Sequence, residues 1–136
     1  MDKKLCGEFI CATVQYSQLY HHVNAPYIRK TFSAPQHQKA ELYICGLGFY
    51  DAYINGKRIT KGKMAPYISN PDHIFYYDCY DISSELQTGE NVFGAILGNG
   101  NLNNMGAFPW NNDDTPYRSS PKLSMAIVLD GKVFLS

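Results

Sequence analysis

The 136-residue chain has the length of one domain, enough to bury roughly two-thirds of the surface its unfolded form exposes. Twelve basic residues balance twelve acidic ones, so no net field draws phosphate backbones or anionic membranes, and no apolar run approaches the ~20 residues of a bilayer-crossing helix. Hydrophobic residues at 45% and charged residues at 18% exclude intrinsic disorder, leaving a soluble, aromatic-rich domain.

The opening Met1-Asp2-Lys3-Lys4-Leu5-Cys6-Gly7-Glu8 carries no long apolar stretch and no small-residue cleavage site. It does not read as a signal peptide, which favours a cytoplasmic chain. Cys6, Cys11, Cys45 and Cys79 are scattered, and His21-His22, His37 and His73 have no zinc-ligand spacing. The expectation is four free thiols, no metal and no cofactor.

In chain order, strands are predicted over Tyr27 to Ser33, Ala40 to Cys45, Phe49 to Ile54, Lys57 to Thr60, Ile74 to Tyr80, Val92 to Leu97, Lys122 to Leu129 and Lys132 to Leu135. Asn55-Gly56 and Asp130-Gly131 fall between pairs of these runs. Both residues of such a pair tolerate positive φ, so each pair marks a hairpin tip. Val92 to Leu97 is apolar on both parities and reads as central and covered on both sides. Helix is confined to one turn after Asp81, capped by Asp81 or Ser83 and stopped by Gly89. Short strands and frequent turn signals predict an all-β chain, an antiparallel β-sandwich. Its expected core draws on Ile28, Phe32, Leu42, Ile44, Tyr53, Val92, Ala95, Leu97, Met125, Ile127 and Leu129.

One stretch departs from strand alternation. Residues 99–120 form a long loop rich in Asn and Gly, and a loop of this length inside a compact domain is usually functional or disordered. Its Phe108, Trp110 and Tyr117 argue against disorder. Aromatic faces stack on the C–H faces of sugars, and Asn, Asp and Arg bond sugar hydroxyls. The candidate site is therefore Trp110, Phe108 and Tyr117 with Asn99, Asn101, Asn103, Asp113 and Arg118, joined by Tyr67 from Ala65-Pro66-Tyr67; Asn111 and Asn112 lie in the same run. The plainer reading packs Trp110 and Phe108 beneath the loop and spends the Asn residues on turns, and the need of long loops for an internal anchor favours it. A third reading makes the loop an interface, since an aromatic centre ringed by polar residues is also how proteins dock.

The run Leu47-Gly48-Phe49-Tyr50-Asp51-Ala52-Tyr53-Ile54-Asn55-Gly56-Lys57-Arg58-Ile59 resembles the N-terminal accessory domain of bacterial α-L-rhamnosidases. Ala25 to Phe32, Tyr76 to Leu86, Gly89-Glu90-Asn91-Val92 and Leu97-Gly98-Asn99-Gly100 match the same family in the same order. Asn101-Leu102 departs from it, standing where members often carry an aromatic pair. The resemblance implies a jelly-roll β-sandwich of 1–136, with residues 1–24 as an extension or first strand and with further strands beyond Ser136. It also implies that the catalytic acids belong to a separate α/α barrel of the parent polypeptide, which is the implied partner together with rhamnose-containing glycans. This chain is then a non-catalytic accessory module that binds carbohydrate or supports the barrel; the alternative is a purely structural docking module. Asp51, Asp72, Asp78, Asp81, Glu85, Glu90, Asp113 and Asp114 offer no convincing glycosidase pair, since that chemistry needs two carboxyls set across a cleft.

Overall fold

The computed structural model describes residues 5, 7–70, 73–103 and 118–136. Among these residues nine strands run in chain order: β1 (Ile10–Cys11), β2 (Tyr27–Ala34), β3 (Ala40–Leu47), β4 (Phe49–Ile54), β5 (Lys57–Arg58), β6 (Asp78–Asp81), β7 (Gly89–Gly98), β8 (Lys122–Leu129) and β9 (Lys132–Leu135). Among the described residues the one helical element is a 3-10 turn, Asn101–Asn103. Every pairing is antiparallel. One sheet has the order β1-β8-β3-β6, with β9 sharing the outer side of β8 with β1; the other has the order β2-β7-β4-β5. The fold is an antiparallel β-sandwich.

Alternation builds the core. In β7, Asn91, Phe93, Ala95 and Leu97 point inward, and in β4 Tyr50, Ala52 and Ile54 do. They meet Leu42 and Ile44 of β3 and Leu123, Ile127 and Leu129 of β8. Ile28, Phe32 and Met125 pack on this core from its margin.

The structure corrects two core assignments. Tyr53 and Val92 are only half-buried, because the inward parity belongs to Tyr50 and Phe93. β7 is central as expected, yet its outer face, Val92, Gly94 and Ile96, is not fully covered. Polar chemistry sets this parity. Asn91 is buried, accepts from Asn55 Nδ2 at 2.8 Å and from the Gln87 amide at 3.0 Å, and donates to the carbonyls of Gln87 and Gly89 at 2.7 and 2.8 Å. A buried amide with four partners is satisfied where an unpaired one would be costly.

Both hairpin tips form as expected. Asn55 and Gly56 have φ of 52° and 81°, and Asp130 and Gly131 have 48° and 84°, the left-handed geometry of a primed turn. Each tip also ties down a neighbour. Asn55 Oδ1 accepts from the Val92 amide at 2.8 Å, and Asp130 Oδ1 accepts from the Lys39 amide at 2.8 Å.

The turn after Asp81 is present too, with the Leu86 amide donating to the Ile82 carbonyl at 2.9 Å. Asp81 supplies the cap: its Oδ1 accepts from the Ser83 amide at 2.9 Å and the Ser83 hydroxyl at 2.6 Å. Those bonds hold its carboxyl below the usual range. The strand expected from Ile74 is shorter, however, since pairing begins only at Asp78. Upstream, the Cys45 thiol donates to the Tyr76 carbonyl at 3.3 Å, so a side chain replaces ladder bonding there.

Candidate functional site

The strand registers give the sandwich two distinct ends. The hairpin tips and the Ile82–Leu86 turn lie at one; the β3–β4 turn, the close of β7 and the start of β8 lie at the other. A cleft of about 270 Å³ opens at the second end, lined by Phe49, Tyr67, Phe75 and Tyr76, with Ser69 and Asn70 as its polar members. Pro66 and Ile68, with Gly46, Gly48, Gly100 and Leu102, complete the lining.

The glycines explain how the chain can fold so tightly here. Gly48 has φ +100°, and a Cβ on it would lie 2.5 Å from the Gly98 carbonyl oxygen. Gly100 has φ +55°, and its Cβ would approach the Gly48 Cα to 3.2 Å. Backbone packs directly on backbone, a contact that only glycine permits. Opposite, the Tyr50 amide donates to the Ala65 carbonyl at 2.8 Å, which fixes the start of the wall carrying Tyr67. Tyr67 is 86% exposed, and Ile68, Phe75 and Tyr76 are also exposed. Large apolar side chains gathered in one open cleft are what a ligand or a partner covers.

The residues assigned to a site from sequence separate into three groups. Tyr67 lines the cleft. Asn99, Asn103 and Arg118 lie beside it but bond the N-terminal segment. Asn103 Oδ1 accepts from the Ser17 amide at 2.6 Å, its Nδ2 donates to Asn99 Oδ1 at 2.9 Å, and Asn99 Nδ2 reaches the Val23 carbonyl at 3.5 Å. Arg118 Nη2 donates to the Ser17 carbonyl, and its guanidinium stands 5.3 Å from the centre of the Tyr16 ring. Asn101 sits in the 3-10 turn. Phe108, Trp110, Asp113 and Tyr117 lie outside the described residues, as do Asn111, Asn112 and Cys6.

Phe75, Tyr76, Ser69 and Asn70 were not singled out by sequence reasoning. The dense Tyr and Phe run at 75–77 was their only local signal, and it reads equally well as strand.

Several carboxylates around the sandwich are engaged in structural pairs. Asp51 binds Arg58 at 2.6 Å, Glu85 binds Lys57 at 2.7 Å, and Asp81 caps its turn. Lys57 keeps the Glu85 carboxyl below its usual range. Asp78 accepts from the Tyr50 hydroxyl, which stands 3.4 Å from that of Tyr80, so the two sheets are joined by a polar bridge at their open edge. Burial, followed by the Asp78 bond, pushes the Tyr50 phenol far up. Cys45 is pushed up to about 11 by burial and then by the Asp78 charge. Cys11, Cys45 and Cys79 are free thiols. Among the described residues no three His, Cys, Asp or Glu side chains gather as metal ligands.

Fold and cleft together define an antiparallel β-sandwich module with an aromatic cleft at one end. The α-L-rhamnosidase N-terminal domain family matches residues 35–133, and the chain belongs to that family. An α-L-rhamnosidase of Formosa agariphila is 48% identical over 61 residues, 45% of this chain and 6% of that protein. One from Streptomyces avermitilis is 31% identical over 84 residues, 62% of this chain and 8% of that protein. The solved α-L-rhamnosidase of Dictyoglumus thermophilum aligns over 99% of this chain and 16% of its own, with a TM-score of 0.77 and 25% identity. The Streptomyces avermitilis enzyme, solved in complex with L-rhamnose, aligns over 76% of this chain and 10% of its own, with a TM-score of 0.64 and 28% identity. The chain thus spans a small part of the length of each of these relatives.

Proposed function

We propose that the chain is a non-catalytic accessory module of an α-L-rhamnosidase, working beside the catalytic α/α barrel of the same polypeptide, and that its end cleft holds a sugar residue of a rhamnose-containing glycan. The cleft carries this reading. Phe49, Tyr67, Phe75 and Tyr76 offer ring faces to the apolar side of a pyranose, and Ser69 and Asn70 offer partners to its hydroxyls. Its volume of about 270 Å³ lies just below the range of drug-sized sites, about 300 to 1,000 Å³, which suits a single ring. Phe108, Trp110, Asp113 and Tyr117 follow the cleft residue Leu102 in sequence and are taken as further contacts to the same glycan.

The non-catalytic role is supported by the carboxylates. Asp51, Asp78, Asp81 and Glu85 each serve a salt bridge, a sheet-to-sheet bond or a cap. Glycosidase chemistry needs one carboxyl free to give up its proton and another free to attack or to activate water.

Calorimetric titration of the domain with L-rhamnose and with rhamnose-containing oligosaccharides tests the reading. Binding should be saturable and should weaken about fivefold or more in Tyr67→Ala, the loss expected of an aromatic contact worth about 1 to 3 kcal/mol. Equal affinity in the variant would remove the cleft from consideration. Turnover of an aryl rhamnoside by the purified domain would overturn the non-catalytic role.

A further inference from the structure

The segment before β2 lies outside the family match of residues 35–133, yet it is bound into the cleft end by a set of long-range contacts. Ser17 is completely buried. Its amide donates to Asn103 Oδ1 at 2.6 Å, its carbonyl accepts from Arg118, and its hydroxyl accepts from the Val23 amide at 3.0 Å. The two protein groups that clasp the Ser17 peptide therefore stand on either side of residues 104–117. Those two flanks also bond each other directly, through the Ser119 amide and the Leu102 carbonyl at 3.1 Å. Two further contacts extend the attachment, from the Ser120 hydroxyl to the Thr13 carbonyl and from the Arg118 guanidinium to the Tyr16 ring.

We infer that residues 13–23 are a positioning strap for the cleft, with Ser17 as its buckle, and that Asn103 and Arg118 act through that strap rather than by touching a glycan. The inference rests on the cleft being the functional site. Leu102 lines the cleft, and its carbonyl accepts from Ser119. Its sequence neighbour Asn103 commits its side chain to Ser17 and to Asn99, and Asn99 reaches on to Val23. The Gly100–Leu102 wall is thereby fixed from behind by a peptide more than eighty residues away in sequence. An Asn side chain mimics a peptide group, with one acceptor and two donors, so it can close both sides of such a junction at once. Arg118 adds a charge-assisted bond to the carbonyl on the other side of Ser17 and a cation–π contact with Tyr16, both stronger in a partly buried setting.

The strap can be altered without touching the cleft. Ser17→Pro removes the amide that Asn103 accepts from, and Tyr16→Leu removes the ring under Arg118. Hydrogen exchange followed by nuclear magnetic resonance on the full chain, with no sugar present, reads the effect. In both variants the Ser119 amide should exchange about tenfold faster or more, as a locally opened unit does, and the Gly100 amide signal should shift. The amides of the β3–β8 ladder should keep their protection, which separates positioning from general loss of stability. Ser119 exchange within about twofold of the unaltered protein in both variants would overturn the strap. If Ser17→Pro prevents folding, Tyr16→Leu alone decides. Because no ligand is used, a failure of sugar binding in the earlier titration leaves this result intact.

Discussion

The two ends of the sandwich solve the same problem, reversing an extended chain, by different means. At the hairpin end the reversal is local. Asn55-Gly56 and Asp130-Gly131 adopt left-handed φ, and a Cβ on Gly56 or Gly131 would meet nothing within 4 Å. At the cleft end Gly48 and Gly100 also have positive φ, but they are pressed against other backbone. Their reversal depends on distant partners: Gly98, Asn99 and the Ser17 strap. A turn held by its own residues is autonomous. A turn held by its neighbours moves only when they do, and such a place suits a binding cleft whose walls must keep their spacing.

Substitutions that separate conformation from contact sharpen this contrast. Gly48→Ala combines unfavourable φ with a Cβ only 2.5 Å from the Gly98 oxygen. It should cost about 3 to 4 kcal/mol, seen as a large fall in denaturant midpoint. Asn91→Ala comes next. It strands the amides and carbonyls that Asn91 serves at the hairpin end, for an expected loss of about 2 to 3 kcal/mol in the same measurement. Gly56→Ala shares the positive φ of Gly48 with open space around it, so only the conformational penalty of about 1 kcal/mol should remain. Equal losses at Gly48 and Gly56 would break the comparison. A smaller effect concerns reactivity. With its thiol pushed up to about 11, Cys45 should be alkylated at pH 8 at least about tenfold more slowly than exposed Cys11 and Cys79, read by peptide mass spectrometry over time.

The hairpin end was legible in the sequence because its determinants are adjacent residues. Asn-Gly and Asp-Gly state their turn type without reference to the rest of the chain, and β8 and β9 fall at their predicted limits. Parity in β4 was not legible. Phe49 to Ile54 carries apolar or aromatic groups at both phases, so alternation alone does not decide between Tyr50 and Tyr53. The decision comes from across the sandwich, where Asp78 accepts from the Tyr50 hydroxyl and the Tyr80 hydroxyl stands 3.4 Å from it. The same holds for the site. Asn99, Asn103 and Arg118 suit a sugar by residue type, and in the structure they also bond the N-terminal segment at Val23, Ser17 and Tyr16. No spacing rule links residue 103 to residue 17. The cleft itself, built from four separated stretches, has no contiguous signature at all.

The position of β2 carries one more consequence. Among the described residues it is an eight-residue strand at the margin of its sheet, with β7 on one side only. Such a margin exposes unpaired peptide groups and invites a second molecule to add itself, the first step towards aggregation. Arg29 and Lys30 stand side by side near the middle of this strand. In a symmetric antiparallel meeting of two copies centred on either residue, Arg29 faces the other copy's Arg29 or Lys30 faces its Lys30, and like charges directly opposite one another are destabilising. Two exposed cations on this edge therefore work against its pairing with a second copy of the chain.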